Sequence, residues 1–392
     1  MSVSQPTAQS APAYRWWREV VSGRSRGPVA QATRAALAAG SALYALGLHA
    51  NLALYGSGLS RRTEPALPVL SVGNLTLGGT GKTTAVQYLA RRLQAEGLHP
   101  AVVLRGYRAA GMGEPILTLP PDAGHSATAA AALGPDARAR EIGDEACLLC
   151  QALPGVPVGV GKRREAVIAA LAAQSDASVV LLDDGFQYFR MRRLVDIVLV
   201  DALAYRPGER LFPAGHLREP WSHLRRADQI WITHADLVTS ARLDELRDRL
   251  DNFAAPVVET RHELTGLRAL TGEPRDLAQI AGERILAVSA LGNAASFEEA
   301  LRARGAEVTG LRYDDHHYYS SRDLDQVAVA ARECAAQLIA ITAKDAVKWP
   351  AGEIEVPVAI VDCSLQITEG EPLVAALVAE VRRAVSGTDH GN

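Results

Sequence analysis

Cysteine is scarce in this chain, with four residues among 392, at positions 147, 150, 334 and 363. So few and such scattered thiols exclude a disulfide framework. Cys147 and Cys150 have the C-x-x-C spacing, but no second pair or His pair completes a zinc set, and no redox context surrounds them. They read as helix thiols in a reducing compartment. Aromatics make up only 5%, and the formal net charge is −3, so the chain as a whole gives no electrostatic reason to bind nucleic acid. What is present is a globular composition, 48% apolar, in a chain long enough for two domains.

Charge is missing locally as well. From Ala35 to Leu59 there is no Asp, Glu, Lys or Arg. The run has the length to cross a bilayer, roughly 20 residues, but it is rich in alanine and broken by Gly40, Ser41, Gly47, His49 and Asn51. Arg24 and Arg26 precede it and Arg61 and Arg62 follow it, so charge assigns no orientation. After a flexible leader (1–14), residues 15–62 admit three readings: a cleaved signal peptide, a buried core helix, or a membrane-associated helix lying in the interface with Trp16 and Trp17 at headgroup level. The signal peptide fits poorly with the nucleotide site that follows.

From Pro68 onward short apolar runs alternate with amphipathic stretches. Strands are expected at 68–74, 100–106, 156–161, 178–184, 195–201 and 229–233, with helices near 82–96, 143–153, 162–174 and 240–252. Strands near 284–290, 306–312, 337–342 and 356–362 and helices near 295–304, 321–335 and 371–385 form a second set. The fold class is therefore α/β, a mostly parallel sheet covered on both faces, with a second, smaller lobe. The expected division is 63–265 and 266–392, and 111–140 reads as an insertion.

"SVGNLTLGGTGKTTAVQYLARRL" (71–93) runs strand, glycine-rich turn, Lys-Thr-Thr, helix. Such a loop surrounds phosphates with backbone N–H groups and a helix N-terminus, while Lys reaches the β and γ groups and a hydroxyl binds Mg²⁺. Gly78, Gly79, Gly81, Lys82 and Thr83 meet these needs, although Thr76 stands where the strict pattern has Gly. "VVLLDDGFQ" then supplies Asp183 and Asp184 at the end of an apolar strand, where a P-loop enzyme holds its Mg²⁺ shell. Asp201 is a weaker copy, read as a strand-end turn residue.

The blocks "SVGNLTLGGTGKT", "LRGY", "IGDE", "DDGFQ", "LFPAGHLREP", "DDHH" and "ITAKDAVKW", in that order, resemble the tetraacyldisaccharide 4′-kinase family of lipid A biosynthesis over about residues 15–350. The resemblance implies ATP as co-substrate, Mg²⁺, a lipid disaccharide 1-phosphate as acceptor, and no obligatory protein partner. It also implies a P-loop domain with a second α/β lobe, monotopic or peripheral on the cytoplasmic face of the bacterial inner membrane through its N-terminal helix.

Carried over by block, Thr76, Leu77, Gly78, Gly79, Thr80, Gly81, Lys82 and Thr83 would form the nucleotide loop. Asp144 would be the general base and His316, rather than His317, its partner. Thr83, Asp183, Asp184 and Glu219 would serve the metal, and Arg105, Tyr107, Gln187 and Arg218 the substrate. The chain departs from the family pattern at Thr84 and Ala146, where Pro is usual, and at Ala343. Plainer readings stay open: Asp144 as a helix N-terminal acid, the histidine doublet as loop residues, and "KRRE" and "YFRMRR" as solvated surface. A nucleotide-dependent switch acting on a protein partner, or a soluble small-molecule kinase, would also use the P-loop.

Overall fold

The computed structural model describes residues 12–106, 116–118, 142–315 and 317–388. Tyr107, His316 and most of the expected insertion lie outside them. The N-terminal segment folds as α1 (Pro12–Val21) and α2 (Pro28–Gly56), the second starting at a proline whose missing N–H costs nothing in a first turn. Only Ala30 of α2 is buried, and Leu43 and Leu46 are 72% and 68% exposed. That excludes the core-helix reading. Among the described residues α2 is the one helix long and apolar enough to cross a membrane. Trp16 is exposed, but Trp17 packs inward: its Nε1 donates to the Pro213 carbonyl at 2.7 Å and its ring meets His216 edge-on. The indole found a buried acceptor, so it does not stand free at headgroup level beside Trp16.

The elements that follow are β1 (Val69–Asn74), α3 (Lys82–Ala95), β2 (Pro100–Leu104), β3 (Ile116–Thr118), α4 (Asp144–Ala152), β4 (Val158–Val160), α5 (Arg164–Gln174), β5 (Val179–Asp183), β6 (Val195–Asp201) and β7 (Gln229–Thr233). Every residue of β1, β5, β6 and β7 is buried, as a sheet covered on both faces requires. α3 buries Ala85, Val86, Leu89, Ala90 and Leu93, a helical stripe laid on the sheet. β1 is central, parallel to β5 on one side and β6 on the other. The carboxyl ends of β1 and β5 therefore open side by side, the position at which doubly wound sheets bind ligands.

α6 (Ser240–Leu250) leads to β8 (Val257–Ala269) and the short β9 (Pro274–Arg275). Then come β10 (Arg284–Ser289), α7 (Ala294–Ala303), β11 (Glu307–Arg312), α8 (Ser321–Glu333), β12 (Leu338–Thr342), α9 (Ala343–Ala346), β13 (Val358–Glu369) and α10 (Glu371–Thr388). β10, β11 and β12 are parallel, and β13 continues that set. β8 pairs parallel with β7 at its start and antiparallel with β13 along its length. One thirteen-stranded sheet results among the described residues. The division expected at 265–266 falls within β8, so the β8–β13 ribbon joins the two halves as continuous ladder instead of a linker.

Candidate active site

The loop from Leu75 to Gly81 is closed by its own strand. Asn74, buried at the end of β1, donates through Nδ2 to the Thr76 carbonyl at 2.9 Å and to Thr80 Oγ1 at 3.0 Å, while the Thr233 hydroxyl donates to the Thr80 carbonyl. Gly81 has φ 80°, a left-handed conformation that glycine adopts without cost, and α3 begins at the next residue. Residues 77–84 line a cleft of about 1690 Å³ whose far wall includes Gly292, Asn293, Asp315 and Lys344 from the second half. Backbone N–H groups and a helix N-terminus facing such a space suit an anionic ligand.

His262 on β8 braces the loop from beside it. The Thr84 hydroxyl donates to the Gly81 carbonyl at 2.8 Å, and His262 Nε2 meets the same hydroxyl at 2.7 Å. The His262 ring stacks on His234, which pairs with Asp201 at 2.9 Å. Burial, with His234 adding to it, pushes His262 down to about 3, so it is a neutral imidazole at working pH. Asp201 thus anchors a histidine stack, more than a strand-end turn.

Asp183 and Asp184 follow β5, at the mouth of the same cleft. Burial, reinforced by the charges of Glu145 and Asp184 and opposed by Lys82, pushes Asp183 up to about 7, and its Oδ1 is buried without a hydrogen-bond partner among the described residues. Asp184 behaves oppositely. Burial would raise it, yet Lys82 at 3.6 Å and the Arg218 fork, at 2.6 and 3.1 Å, hold it at about 2. Among the described residues no three His, Cys, Asp or Glu side chains are clustered to hold a metal alone.

The segment Leu211–Glu219 pairs with the loop: Leu77 N donates to the His216 carbonyl and Arg218 N to the Leu75 carbonyl. Glu219 is fully buried, with Oε1 accepting from Gln187 at 2.9 Å and Oε2 from Arg226 at 2.5 Å and paired with His223 at 2.6 Å. Gln187 also donates to the Asn74 carbonyl. Both residues are thus engaged by the protein: serving a metal would cost Glu219 one of these partners. Arg105, past the end of β2, lines the cleft.

Asp144 is the first residue of α4, 5% exposed, with Oδ1 accepting from Glu145 N and Oδ2 3.5 Å from Lys348 Nζ of the second half. Its neighbour Glu145 lines the cleft. His317 is stacked on Tyr313, stands edge-on to Tyr319 and lies 3.3 Å from Asp323, a packing arrangement.

The sequence profile of the tetraacyldisaccharide-1-P 4′-kinase family matches residues 33–382. The chain belongs to the tetraacyldisaccharide-1-P 4′-kinase family. It is 37% identical to the tetraacyldisaccharide 4′-kinase of Anaeromyxobacter dehalogenans strain 2CP-C over 338 residues, 85% of this chain and 84% of that protein. It is 34% identical to that of Geobacter sulfurreducens over 365 residues, 92% and 98% of the two chains. A crystal structure of LpxK from Aquifex aeolicus in complex with ATP superposes with a TM-score of 0.69 at 24% identity, covering 89% of this chain and 99% of that one, and shows a common fold.

Within this member of the 4′-kinase family, the structure gathers Lys82, Thr83, Asp183, Asp184, Arg105 and Arg218 around one cleft, while Asp144 is buried next to the cleft-lining Glu145 and does not itself line the cleft. Sequence reasoning missed Asn74, Thr233, His262 and Lys348. Thr233, His262 and Lys348 act through contacts distant in sequence and Asn74 through its own loop, and of the four Asn74 and Lys348 sat inside recognised blocks.

Proposed function

We propose that this chain transfers the γ-phosphoryl group of ATP to the 4′-hydroxyl of a tetraacylated glucosamine disaccharide 1-phosphate, a lipid A precursor, giving the bisphosphorylated lipid and ADP. The observation that carries this reading is one cleft, in a member of the 4′-kinase family, where the P-loop, the Asp183–Asp184 turn and the start of α4 converge.

Phosphoryl transfer asks a protein mainly for alignment and charge neutralisation. The loop N–H groups and Lys82 hold the triphosphate. The 4′-oxygen attacks the γ-phosphorus as the bond to the bridging oxygen breaks, and the hydroxyl proton passes to Asp144, with His316 as its partner. An Asp of ordinary basicity gains from such a partner. Arg105, Tyr107, Gln187 and Arg218 are the residues assigned to the sugar and its phosphate, Tyr107 lying outside the described residues.

The residues present fit Mg²⁺. Asp183 Oδ1 is a buried oxygen with no hydrogen-bond partner among the described residues, crowded by Glu145 and Asp184. Mg²⁺ is characteristically held by one or two carboxylates together with phosphate oxygens and water, so no protein-only cage is needed. Thr83, Asp183 and Asp184 would hold it, with Glu219 behind them. When bound, it supplies neutralisation of the phosphate charge.

α2, exposed and apolar, would lie on the cytoplasmic face of the bacterial inner membrane as a peripheral or monotopic anchor. The test is incubation of the purified protein with labelled ATP and a disaccharide 1-phosphate lipid. A bisphosphorylated product is expected. ATP hydrolysis that ignores the lipid and requires a protein partner would overturn the reading in favour of a switch.

A further inference from the structure

The block "ITAKDAVKW" contains a lysine that the phosphate chemistry leaves unused. Lys348 follows α9 in the second half and is 0% exposed, among the largest fully buried side chains of the protein. A buried ammonium is costly unless its charge is met. Two carboxylates meet it. Asp345 contributes its field but is committed elsewhere: Oδ1 accepts from Ala290 N and the Tyr319 hydroxyl at 3.0 Å each, and Oδ2 from the Thr342 hydroxyl at 2.6 Å. Asp144 is the other, 3.5 Å from Nζ.

The pair is formed between the halves of the molecule. Asp144 starts α4 beside the nucleotide loop's sheet, whereas Lys348 is carried by the segment after β12, fixed by the Thr342 and Asp345 cap of α9. Lys344, one turn earlier, lines the cleft and pairs with Asp315 at 3.0 Å. Neither Lys348 nor Asp144 lines the cleft; the lining begins at Glu145, the residue after Asp144. Lys344 therefore faces the cleft, whereas Lys348 faces the Asp144 carboxylate one residue away from it.

We propose that Lys348 is a positioning residue for the transfer: its charge holds Oδ2 of Asp144 from the second half and orients that carboxylate for the incoming hydroxyl. This rests on the reading of Asp144 as the base. The Glu145 N–H holds Oδ1, and the Lys348 ammonium faces Oδ2 as an ion pair at 3.5 Å with no hydrogen bond from Nζ among the described residues, so this electrostatic hold on the carboxylate is completed only when the second half is in place. Because Lys348 does not touch the phosphate loop, its loss should leave ATP binding alone and slow the chemical step.

The test is a double-mutant cycle on the full chain, with kcat and KM for ATP measured for Lys348→Met, Asp144→Asn and the double variant. Expected are a fall in kcat of about tenfold or more for Lys348→Met with KM for ATP within about twofold, and almost no further loss when Lys348→Met is added to Asp144→Asn. Lys348→Gln, which keeps a polar end, serves in the same cycle if the methionine variant does not fold. Independent, multiplicative losses in the two backgrounds, or a rise in KM for ATP alone, would overturn the proposal while leaving Asp144 as base. Full turnover by Asp144→Asn would instead remove the base reading beneath it.

Discussion

Tyr44 of the exposed helix α2 donates its hydroxyl to the backbone carbonyl of Arg218 at 2.8 Å. The helix proposed to meet the membrane thus touches the residue whose guanidinium holds Asp184. Three residues away along the same face, Ser41 accepts from Ala214 N and donates to the Leu211 carbonyl, so α2 is docked on the segment that pairs with the phosphate loop.

Removing residues 1–60 should therefore do two things: move the protein from membrane to soluble fractions, and loosen the Leu211–Glu219 segment. Tyr44→Phe separates them. Losing one hydrogen bond of about 1 kcal/mol should lower kcat about fivefold with membrane partition unchanged. Sedimentation with vesicles and turnover measured side by side check this; equal turnover would show that the contact does not reach the site.

His262 makes stability depend on pH. Its usual value is 6.5 and burial, with His234 nearby, brings the folded value to about 3. Between those values the unfolded chain binds a proton that the folded chain refuses. The contribution is complete above about pH 6.5 and is lost as pH falls toward 3, roughly 2 kcal/mol between pH 7 and pH 5. Urea denaturation at the two pH values should show the loss, and His262→Gln should flatten it.

Gly81 and Gly79 should respond differently to alanine. At Gly81 a Cβ would lie 2.7 Å from His262 Cε1, at φ 80°, against a ring that His234 backs and that cannot move aside freely. Gly79 has open space. Gly81→Ala should lower the melting temperature of the nucleotide-free protein, at a cost of about 1–2 kcal/mol from the backbone alone. Gly79→Ala should leave that temperature unchanged. Thermal denaturation without ligand distinguishes them.

Much of the fold is legible because strands buried on both faces are mostly apolar: "VVLLD" and "VDIVLVD" are Val, Leu and Ile apart from three aspartates. β8 is not legible in that way. Its Glu259, Arg261, Glu263 and Arg268 look like surface, and two of them are satisfied only across the fold, Glu259 by Arg247 at 2.6 Å and Arg268 by Asp362 at 3.0 Å. The phosphate loop could be read because φ above zero demands glycine at Gly78 and Gly81. Asn74 could not, since nothing marks a strand-end asparagine as the brace of a loop seven residues long. Lys348 could be seen as part of a block but not assigned a partner, because Asp144 is some two hundred residues away and only the β8–β13 ribbon brings them together.

Arg218 tests whether a residue expected at the substrate acts on it directly. Both of its terminal nitrogens are on Asp184, at 2.6 and 3.1 Å, and its backbone N–H is on Leu75. Lysine cannot reproduce that two-point fork, although it keeps the charge. Arg218→Lys should therefore leave Asp184 ionised but free to rotate, lowering kcat/KM for ATP by about tenfold or more. The KM for the lipid should stay put. If instead the lipid KM rises and the ATP parameters hold, Arg218 leaves Asp184 during turnover and binds the acceptor, and the fork belongs to the resting arrangement alone.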